Sequence, residues 1–302
     1  MTGLVLREPA REEAGAIAEL LNAHSHNLHG EADLSVDELA HWFGIKHIWI
    51  RVAERGGRLV AYVDVANDEQ QGRRFHVDAR PLDEESAHAV VAAAEKHARR
   101  HAVPDAILRG YAAETDQPAA AAYQAAGLRI VRHSFQMRIE LRAPPVPDWP
   151  PGIEVRSYTH ADEEAVWDAM NETFADHWGY QPPGPEGRAE WRHYGIEGPH
   201  FDPGLWFLAE DGDTLAGISL CQWHASGDPQ FGWVQTLGVR RPWRRRGLAL
   251  ALLQHSFAEF AHRGATHVGL GVDAENTTNA VRLYERAGMS VARRSDTWEK
   301  TL

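Results

Sequence analysis

Hydrophobic and polar residues follow one order of patterns in each half of the 302-residue chain. Near the start, "LVLR" alternates as a half-buried strand does, and "EEAGAIAELLN" then shows the spacing of an amphipathic helix. From Ile153 onward, "IEVR" and "DEEAVWDAMN" repeat that pair. In each half the full order is a strand, helices, two hairpin strands, a strand, a helix, a strand, a helix and a strand. Two tandem copies of one α/β domain are therefore predicted.

The two copies also align in their later segments. The hairpin "VAERGGRLVAYVDV" matches "LAEDGDTLAGISLC", and each has a glycine-bearing turn between short strands. The last helix and strand align Tyr123 with Tyr284 and Gly127 with Gly288. The duplication therefore extends over the whole of each half.

A proline-rich segment separates the copies. "LRAPPVPDWPPGI" contains five prolines in eight residues, and proline cannot continue a helix or pair inside a sheet. We predict domains at 1–142 and 153–302, joined by a stiff linker at 143–152.

Composition and charge narrow the class of protein. The chain is 43% hydrophobic, as globular domains are, and its formal net charge is −12. Residues 1–150 carry 17 Lys and Arg against 22 Asp and Glu, and residues 151–302 carry 14 against 21. Neither half has the domain-wide positive charge typical of a nucleic-acid binder, so we expect no nucleic-acid partner.

Other features favour a cytoplasmic protein. No apolar run is long enough to span a membrane and the N-terminus lacks the pattern of a signal peptide, so we expect no membrane partner. The single cysteine, Cys221, fits a reducing compartment, and its strand-like surroundings favour packing over a nucleophilic role. His24, His26 and His29 have no accompanying cysteine or ordered carboxylates, so we predict no metal.

Five arginines stand within residues 240–246, immediately before an apolar helix that begins near Gly247. The first N–H groups of a helix lack intrahelical partners and carry partial positive charge, which favours a bound anion. The helix dipole repels arginines there, so their presence indicates an external anion, with a solvated basic turn as the alternative. Gly247 would let a diphosphate approach the backbone closely. The first copy opens its matching helix with Asp83, Glu84 and Glu85.

Position and spacing point to one particular anion site. The stretch Arg-x-x-Gly-x-Ala at 244–249, directly after the strand "WVQTLGV", resembles the coenzyme A pyrophosphate loop of the GNAT superfamily of N-acetyltransferases. The family's later asparagine and its Ala-x-x-x-Tyr-x-x-x-Gly helix are matched by Asn276 and by "AVRLYERAGM", which contains Tyr284. The resemblance covers about residues 153–302.

The resemblance implies a fold of two tandem GNAT-type domains, each a mixed, mostly antiparallel twisted sheet flanked by helices. The first copy resembles this fold without its coenzyme loop, so we expect a degenerate domain that supports or covers the acceptor cleft. One working copy beside a degenerate one is similar to the arrangement in mycothiol synthase and related actinobacterial acetyltransferases.

The resemblance also implies a site for each part of acetyl-CoA. The pantetheine arm would pair with the backbone of the fourth strand, and the pyrophosphate would accept hydrogen bonds from the loop amides. Arg240, Arg241 and Arg245 are candidates for the ribose phosphate. Asn276 would contact the pantetheine, and Tyr284 would lie near the thioester sulfur. The predicted coenzyme-binding residues are Leu237, Gly238, Val239, Arg244, Arg245, Arg246, Gly247, Leu248, Ala249, Asn276 and Tyr284.

The chemistry of acetyl transfer suggests roles for three residues. A phenol with a pKa of about 10 can protonate a leaving thiolate with a pKa of about 8.5, so Tyr284 is a candidate general acid, with helix packing as the alternative. Many relatives place a glutamate on the fourth strand to deprotonate the amine. Here that strand, "GWVQTL", has no carboxylate, so we predict a water relayed by Gln235 and Thr236. The nearest alternative groups in sequence are Glu210, His224 and Asp228.

Aromatic residues are candidates for the acceptor site, because in this fold the segment after the first helix covers the acceptor. Trp178, Tyr180 and Trp191 lie in that segment, and Trp233 lies on the fourth strand. The alternative for the first three is packing against the first domain.

These observations lead to two hypotheses. The first is an acetyl-CoA-dependent N-acetyltransferase, a monomer or homodimer, whose acceptor is the primary amine of a small molecule that attacks directly. The second, kept open by the missing glutamate, is a non-catalytic acyl-CoA-binding sensor or interaction module.

Overall fold

The computed structural model describes residues 3–44, 48–67, 71–276 and 278–302. Its elements follow the predicted order in both halves, which confirms the duplicated α/β plan. The helices are α1 (Ala14–His29), α2 (Val36–Trp42), α3 (Glu84–His101), α4 (Gln117–Ala125), α5 (Glu163–Phe174), α6 (Gly187–Gly195), α7 (Leu248–His262) and α8 (Ala280–Arg286). Over the described residues, no helix combines the length and apolar character needed to cross a bilayer.

The strands divide between two compact units. They are β1 (Val5–Arg7), β2 (Ile48–Arg55), β3 (Arg58–Asn67), β4 (Arg74–Pro81), β5 (Ile107–Ala113), β6 (Arg129–Glu140), β7 (Ile153–Ser157), β8 (Trp206–Asp211), β9 (Thr214–Trp223), β10 (Phe231–Val239), β11 (His267–Asp273) and β12 (Ser290–Thr301). Unit 1 spans Met1–Ser134 and Arg294–Leu302, and unit 2 spans Phe135–Arg293.

In unit 1 the strand order is β1-β2-β3-β4-β5-β12. Strands β4 and β5 run parallel, and the other paired neighbours run antiparallel. Helix α3 packs on β3 and β4, and Phe75 and Tyr123 are fully buried in the resulting core.

In unit 2 the strand order is β6-β11-β10-β9-β8-β7, with β10 and β11 parallel. Alternation along β9 sends Ser219 and Cys221 toward α7, where the Ser219 hydroxyl lies 2.8 Å from that of Ser256. Leu220 points the opposite way and joins the core beneath α5. The sheet of unit 2 therefore has an α7 face and an α5 face.

The boundaries of the units differ from the predicted domains at 1–142 and 153–302. The final strand of each half, 12 residues long in both cases, contributes its C-terminal part to the unit of the other half. Trp298 of β12 belongs to the core of unit 1, and Met137 of β6 is fully buried in the core of unit 2. The proline-rich segment 143–152 has neither helix nor strand. Sequence periodicity shows that a strand exists but not which sheet it joins.

The duplication extends to individual ion pairs. In unit 1, Arg7 contacts Glu13 at 2.6 Å and Glu54 at 3.0 Å. In unit 2, Arg156 contacts Asp162 at 2.8 Å and Glu210 at 2.7 Å. Arg7 is the last residue of β1 and Arg156 the last but one of β7, and each ties the start of the first helix of its unit to the hairpin. Because the same contact occurs in both units, Glu210 is a structural group rather than a base.

Cutting the linker tests the strand exchange. A protease site inserted at Val146, whose side chain is 86% exposed, is expected to yield two fragments that co-elute in native gel filtration and separate only in denaturant. Each fragment supplies a strand to the other's core, so the chain cannot be divided there without loss of packing.

The second half expressed alone provides the comparison. Residues 153–302 lack Met137, and we expect this fragment to be insoluble or without a cooperative unfolding transition unless residues 1–152 are co-expressed. A well-folded 153–302 fragment would contradict the exchange.

Candidate active site

A bulge interrupts β10 in the middle of unit 2. The pairing with β9 shifts register between Val234 and Thr236, so Gln235 is an extra residue without a partner on β9. Gln235 is exposed, and its carboxamide oxygen accepts a hydrogen bond of 3.0 Å from the indole nitrogen of Trp233. A bulge bends its strand and increases the local twist. At this point β10 remains paired with β9 but its pairing with β11 ends.

An open strand edge follows the bulge. The parallel register joins Phe231–Trp233 to His267–Gly269 and ends there, although β10 continues to Val239 beside β9. The backbone N–H of Arg240 donates to Ala216 on the β9 side. Backbone groups alternate along a strand, so those of Leu237 and Val239 point into the gap between β10 and β11.

Gly238 has a different role from the two residues beside it. The same alternation turns its backbone groups toward β9. A side-chain carbon at Gly238 would lie 2.5 Å from the hydroxyl of Thr173 on α5. Gly238 therefore lets α5 pack closely on β10, and the open edge is built from Leu237 and Val239.

The gap leads to the start of α7. Gly247 is the N-cap residue and has φ of +90°, a conformation that favours glycine, and Arg245 also has a positive φ of 62°. No side chain caps this helix among the described residues, and the N–H groups of Leu248 and Ala249 have no partner there. A side-chain carbon at Gly247 would meet nothing within 4 Å. This helix start has the geometry of an anion site.

Three of the five loop arginines are held by α5 and the segment after it. Arg240 contacts Glu172 at 2.7 Å, and Asp176 contacts Arg241 at 2.8 Å and Arg244 at 2.7 Å. The Nε of Arg244 also donates to the carbonyl of Val239 at 3.0 Å.

The remaining two, Arg245 and Arg246, are exposed and form no ion pair or hydrogen bond within the described part of the chain. The structure thus separates arginines that shape the loop from arginines that are available to a ligand.

The two carboxylates remain charged in this arrangement. Burial alone would raise the pKa of Glu172, but hydrogen bonds from Arg240 and the Arg241 backbone hold it below its ordinary value. Hydrogen bonds from Arg244 and Arg241 lower the pKa of Asp176. Glu172 and Asp176 are not among the site residues predicted from the sequence. Acidic groups four residues apart at the C-terminal end of a helix oppose its dipole, and this was the available signal of an external partner.

Unit 1 closes each of these openings with its own side chains. Its β4 and β5 keep five parallel pairs, from Arg74–Ile107 to Asp78–Tyr111, and the register of β4 with β3 is continuous. At the start of α3, the Asp83 carboxylate accepts a hydrogen bond from Ser86 N at 2.8 Å. The first copy therefore has neither the gap nor an open helix start.

Tyr284 and Tyr123 differ in the same way. Tyr123 is fully buried, and its hydroxyl lies 3.4 Å from the carbonyl oxygens of Val77 and Tyr111. Tyr284 is 8% exposed on α8, and its hydroxyl has no hydrogen-bond partner among the described residues. Burial raises the pKa of Tyr284 to about 12, so the phenol stays neutral. The hydroxyl of Tyr284 in the second copy is therefore available to a ligand, whereas that of Tyr123 in the first copy contacts the backbone.

Asn276 closes the turn before α8. Its carboxamide oxygen accepts a hydrogen bond of 2.7 Å from Thr278 N, and its own N–H donates to Asp273 O at 3.1 Å. The amide nitrogen of the side chain forms no hydrogen bond with the residues that the structure describes.

The α5 face of the sheet is open beside the gap. A side-chain carbon at Gly269 would lie 2.8 Å from the Trp233 ring, so this glycine lets the indole lie across β11. Gly271, two residues on, is exposed, and a side-chain carbon there would meet nothing within 4 Å. Thr236 is 8% exposed and pairs with Leu220, which faces α5. Trp233 and Thr236 lie on this face, and Gln235 joins them through the hydrogen bond from Trp233; the open area between these residues and Gly271 is called the hollow.

The structure assigns different surroundings to the three predicted aromatic residues after α5. The Trp191 ring packs 5.4 Å from Trp167 and 6.0 Å from Trp206, within the core of unit 2. The Tyr180 hydroxyl donates to Asn171 at 3.5 Å. Trp178 is 39% exposed, which leaves it the most accessible of the three.

The other alternative groups serve local structure. His224 stacks on Phe231 with 4.1 Å between ring centroids, and its Nδ1 lies 2.9 Å from the Ser226 hydroxyl. The Asp228 carboxylate accepts a hydrogen bond from Gln230 N at 2.8 Å within the turn before β10. Burial raises the pKa of the Cys221 thiol to about 11, so this cysteine is not a thiolate at neutral pH.

Metal-ligating side chains do not converge in the described part of the chain: no group of three or more His, Cys, Asp or Glu is placed to hold an ion. His24 of α1 lies 2.8 Å from Asp116 inside unit 1.

Known proteins are similar to this chain in both sequence and fold. Residues 164–289 match the Acetyltransferase (GNAT) family. A mycothiol acetyltransferase of Streptomyces scabiei is 30% identical over 81% of this chain and 76% of its own length. One from Corynebacterium aurimucosum is 34% identical over 57% of this chain, and the match spans 61% of that relative's length.

A solved structure extends the similarity to the whole chain. The GCN5-related N-acetyltransferase from Sphaerobacter thermophilus is 31% identical and superposes with a TM-score of 0.79, over 99% of this chain and 95% of that one. With this identity and coverage in both comparisons, the chain belongs to the acetyltransferase (GNAT) family.

Proposed function

We propose that this protein transfers an acetyl group from acetyl-CoA to the primary amine of a small molecule. The observation that carries the proposal is the open edge of β10, which runs from the Gln235 bulge to the uncapped start of α7. Such an edge fits a ligand that has an extended amide-bearing arm at one end and a diphosphate at the other. Coenzyme A has this chemistry.

The proposed coenzyme contacts follow from the groups that the fold leaves available. Both backbone groups of Leu237 and the N–H of Val239 pair with the pantetheine arm as a further strand would. The N–H groups of Leu248 and Ala249 donate to the pyrophosphate, and the conformation of Gly247 keeps that approach clear. Gly238 serves packing, and Arg244 shapes the loop.

Arg245 is the proposed partner of the ribose phosphate, with Arg246 beside it. Arg240 and Arg241 are less suited, because Glu172 and Asp176 already neutralise them. The amide nitrogen of Asn276 is proposed to contact the pantetheine.

Three side chains are proposed to assist the transfer. Bound acetyl-CoA supplies an acetyl group activated as a thioester. Tyr284 donates a hydrogen bond to the departing sulfur; with a pKa of about 12 it is a weaker acid than the thiol, so it stabilises the sulfur without being deprotonated at equilibrium. Gln235 and Thr236 hold the water that receives the amine proton.

The acceptor is proposed to be a small molecule seated against Trp233, with Trp178 at the entrance and Tyr180 beside it. The relatives named mycothiol acetyltransferase have a small-molecule acceptor by that name, which supports this class of substrate. Trp191 contributes by packing α6. A cytoplasmic location and a monomeric or dimeric state remain predictions from the sequence.

A non-catalytic acyl-CoA sensor is the second candidate. It is favoured by one observation, the absence of a carboxylate from β10. It predicts coenzyme binding without release of free thiol in the presence of any amine.

A glutamate at the helix start tests the coenzyme site. Gly247→Glu places a negative charge where the pyrophosphate is expected, so coenzyme A binding should weaken by at least about tenfold in isothermal titration calorimetry. Gly264→Glu is the matched control, because Gly264 has φ of +91° at the other end of α7 and also has open space around it. Equal binding by both variants would refute the assignment.

Removal of one hydroxyl tests Tyr284. Tyr284→Phe should lower kcat by roughly 10- to 100-fold, the effect of a lost hydrogen bond to a charged leaving group, with coenzyme affinity unchanged. Tyr123→Phe removes the matching hydroxyl in unit 1 and should lower stability by about 1 kcal/mol without affecting kcat. An undiminished kcat for Tyr284→Phe, measured by thiol release, would rule out its role.

A further inference from the structure

A histidine lies immediately beyond α5, beside the coenzyme loop. The backbone N–H of His177 donates to Phe174 O at 2.9 Å, and its ring lies 4.4 Å from the Phe174 ring, centroid to centroid. Neither ring nitrogen has a hydrogen-bond partner among the described residues. The imidazole is thus held in place by packing, and both nitrogens remain available.

Burial lowers the pKa of His177 below its ordinary value of about 6.5. Three charged groups also act on the pKa of the ring. Asp273 at the end of β11 and Asp176, the preceding residue in the chain, favour the protonated form, and Arg244 of the loop favours the neutral form. The ring is therefore neutral at pH 7, with a carboxylate nearby to stabilise it once protonated.

Thr173 of α5 packs on Gly238, and the ring of the next residue, Phe174, packs on His177, so this histidine lies on the α5 side of the sheet. Val268, Leu270 and Val272 of β11 are in the core under α7, so the alternate residues point to the α5 face. Asp273 is the last of these and follows Gly271, where the face is open. His177 and the hollow beside Gln235 therefore lie on one side of the sheet.

The first copy fills the corresponding space. Arg109 and Tyr111 of β5 occupy the positions that Gly269 and Gly271 have on β11. The Tyr111 hydroxyl lies 2.7 Å from His76, and Arg109 is bound to Glu299 at 2.6 Å. Only the second copy combines the open coenzyme edge with an open hollow on the same face.

We infer that His177 is the terminal acceptor of the proton that the amine substrate releases. This inference rests on the proposed acetyl transfer. It supplies the base that β10 lacks, because Trp233, Gln235 and Thr236 can orient water but cannot hold a proton at neutral pH.

The proton and electron balance of the step is complete. One proton of R–NH₃⁺ passes through the water at Gln235 and Thr236 to His177, which later releases it to solvent. The nitrogen lone pair forms the C–N bond to the acetyl carbon, and the C–S bond breaks with its electron pair on sulfur. A second proton leaves nitrogen and ends on sulfur, so the products are the amide and the free thiol.

The test is the pH profile of kcat/KM for acetyl-CoA and an amine chosen by thiol release from tyramine, glucosamine and spermidine. In the unmodified protein, kcat/KM should rise with pH and become constant before pH 7 is reached, because neutral His177 accepts the proton from a bound ammonium. In His177→Gln the plateau should be lost, and log(kcat/KM) should rise with unit slope up to the pKa of the amine itself. At pH 7 the expected loss is about 100-fold, and the two profiles should converge at high pH.

His255→Gln is the control. His255 lies on α7, and burial lowers its pKa as it does that of His177, but it packs against Trp149 and Phe207 on the other face of the sheet. This variant should keep the plateau. Both variants should bind coenzyme A as the unmodified protein does in calorimetry, since neither histidine is part of the coenzyme loop.

A second measurement does not depend on turnover. The His177 ring resonance, assigned by its absence from His177→Gln, should titrate below pH 6.5 in NMR spectra and shift when coenzyme A and the amine are added. An unchanged plateau in His177→Gln, or a ring that titrates above pH 6.5, would overturn the inference. Coenzyme binding without transfer to any amine would instead remove the proposed function, and this inference with it, before any variant is made.

Discussion

The site in unit 2 depends on one irregularity, the extra residue Gln235 in β10. A regular strand would pair with β11 along its whole length, as β4 does with β5 in unit 1. The bulge ends that pairing at Trp233, so the backbone of Leu237 and the N–H of Val239 face a gap, while Arg244 donates a hydrogen bond to the Val239 carbonyl. An unpaired backbone requires another partner, so the departure from regular structure creates a binding edge.

The two copies share one fold but differ in the charges and caps at the start of one helix. Each has a helix after its fourth strand, and each helix start is satisfied differently. Unit 1 uses its own Asp83 as the cap, whereas unit 2 has Gly247 and no cap. Around that opening, Glu172 and Asp176 form ion pairs with three arginines and fix the loop to α5 and the residues just after it. These contacts hold the loop without a ligand, and Arg245 and Arg246 are its exposed arginines that form no ion pair among the described residues.

Sequence periodicity was sufficient for the order of elements, and the glycine and arginine spacing indicated which copy has the uncapped helix start. Three features were beyond its reach because they depend on contacts between distant segments. The exchange of β6 and β12 is a choice between two equivalent sheets, which local patterns do not encode. The neutralisation of Arg240 and Arg241 depends on α5, about 65 residues earlier. Trp191 has the composition of a binding residue, but its neighbours Trp167 and Trp206 make it a packing residue.

The exchanged strands also bear on why a copy without a coenzyme loop persists. Selection on the second copy acts on residues of the first half as well, since Met137 completes the core beneath α7. During synthesis, the core of unit 1 is incomplete until Trp298 has been made. At an elongation rate of about 5–20 residues per second, the second half of the chain takes many seconds to synthesise. The first half thus supplies packing that the core of unit 2 requires, independently of any ligand of its own.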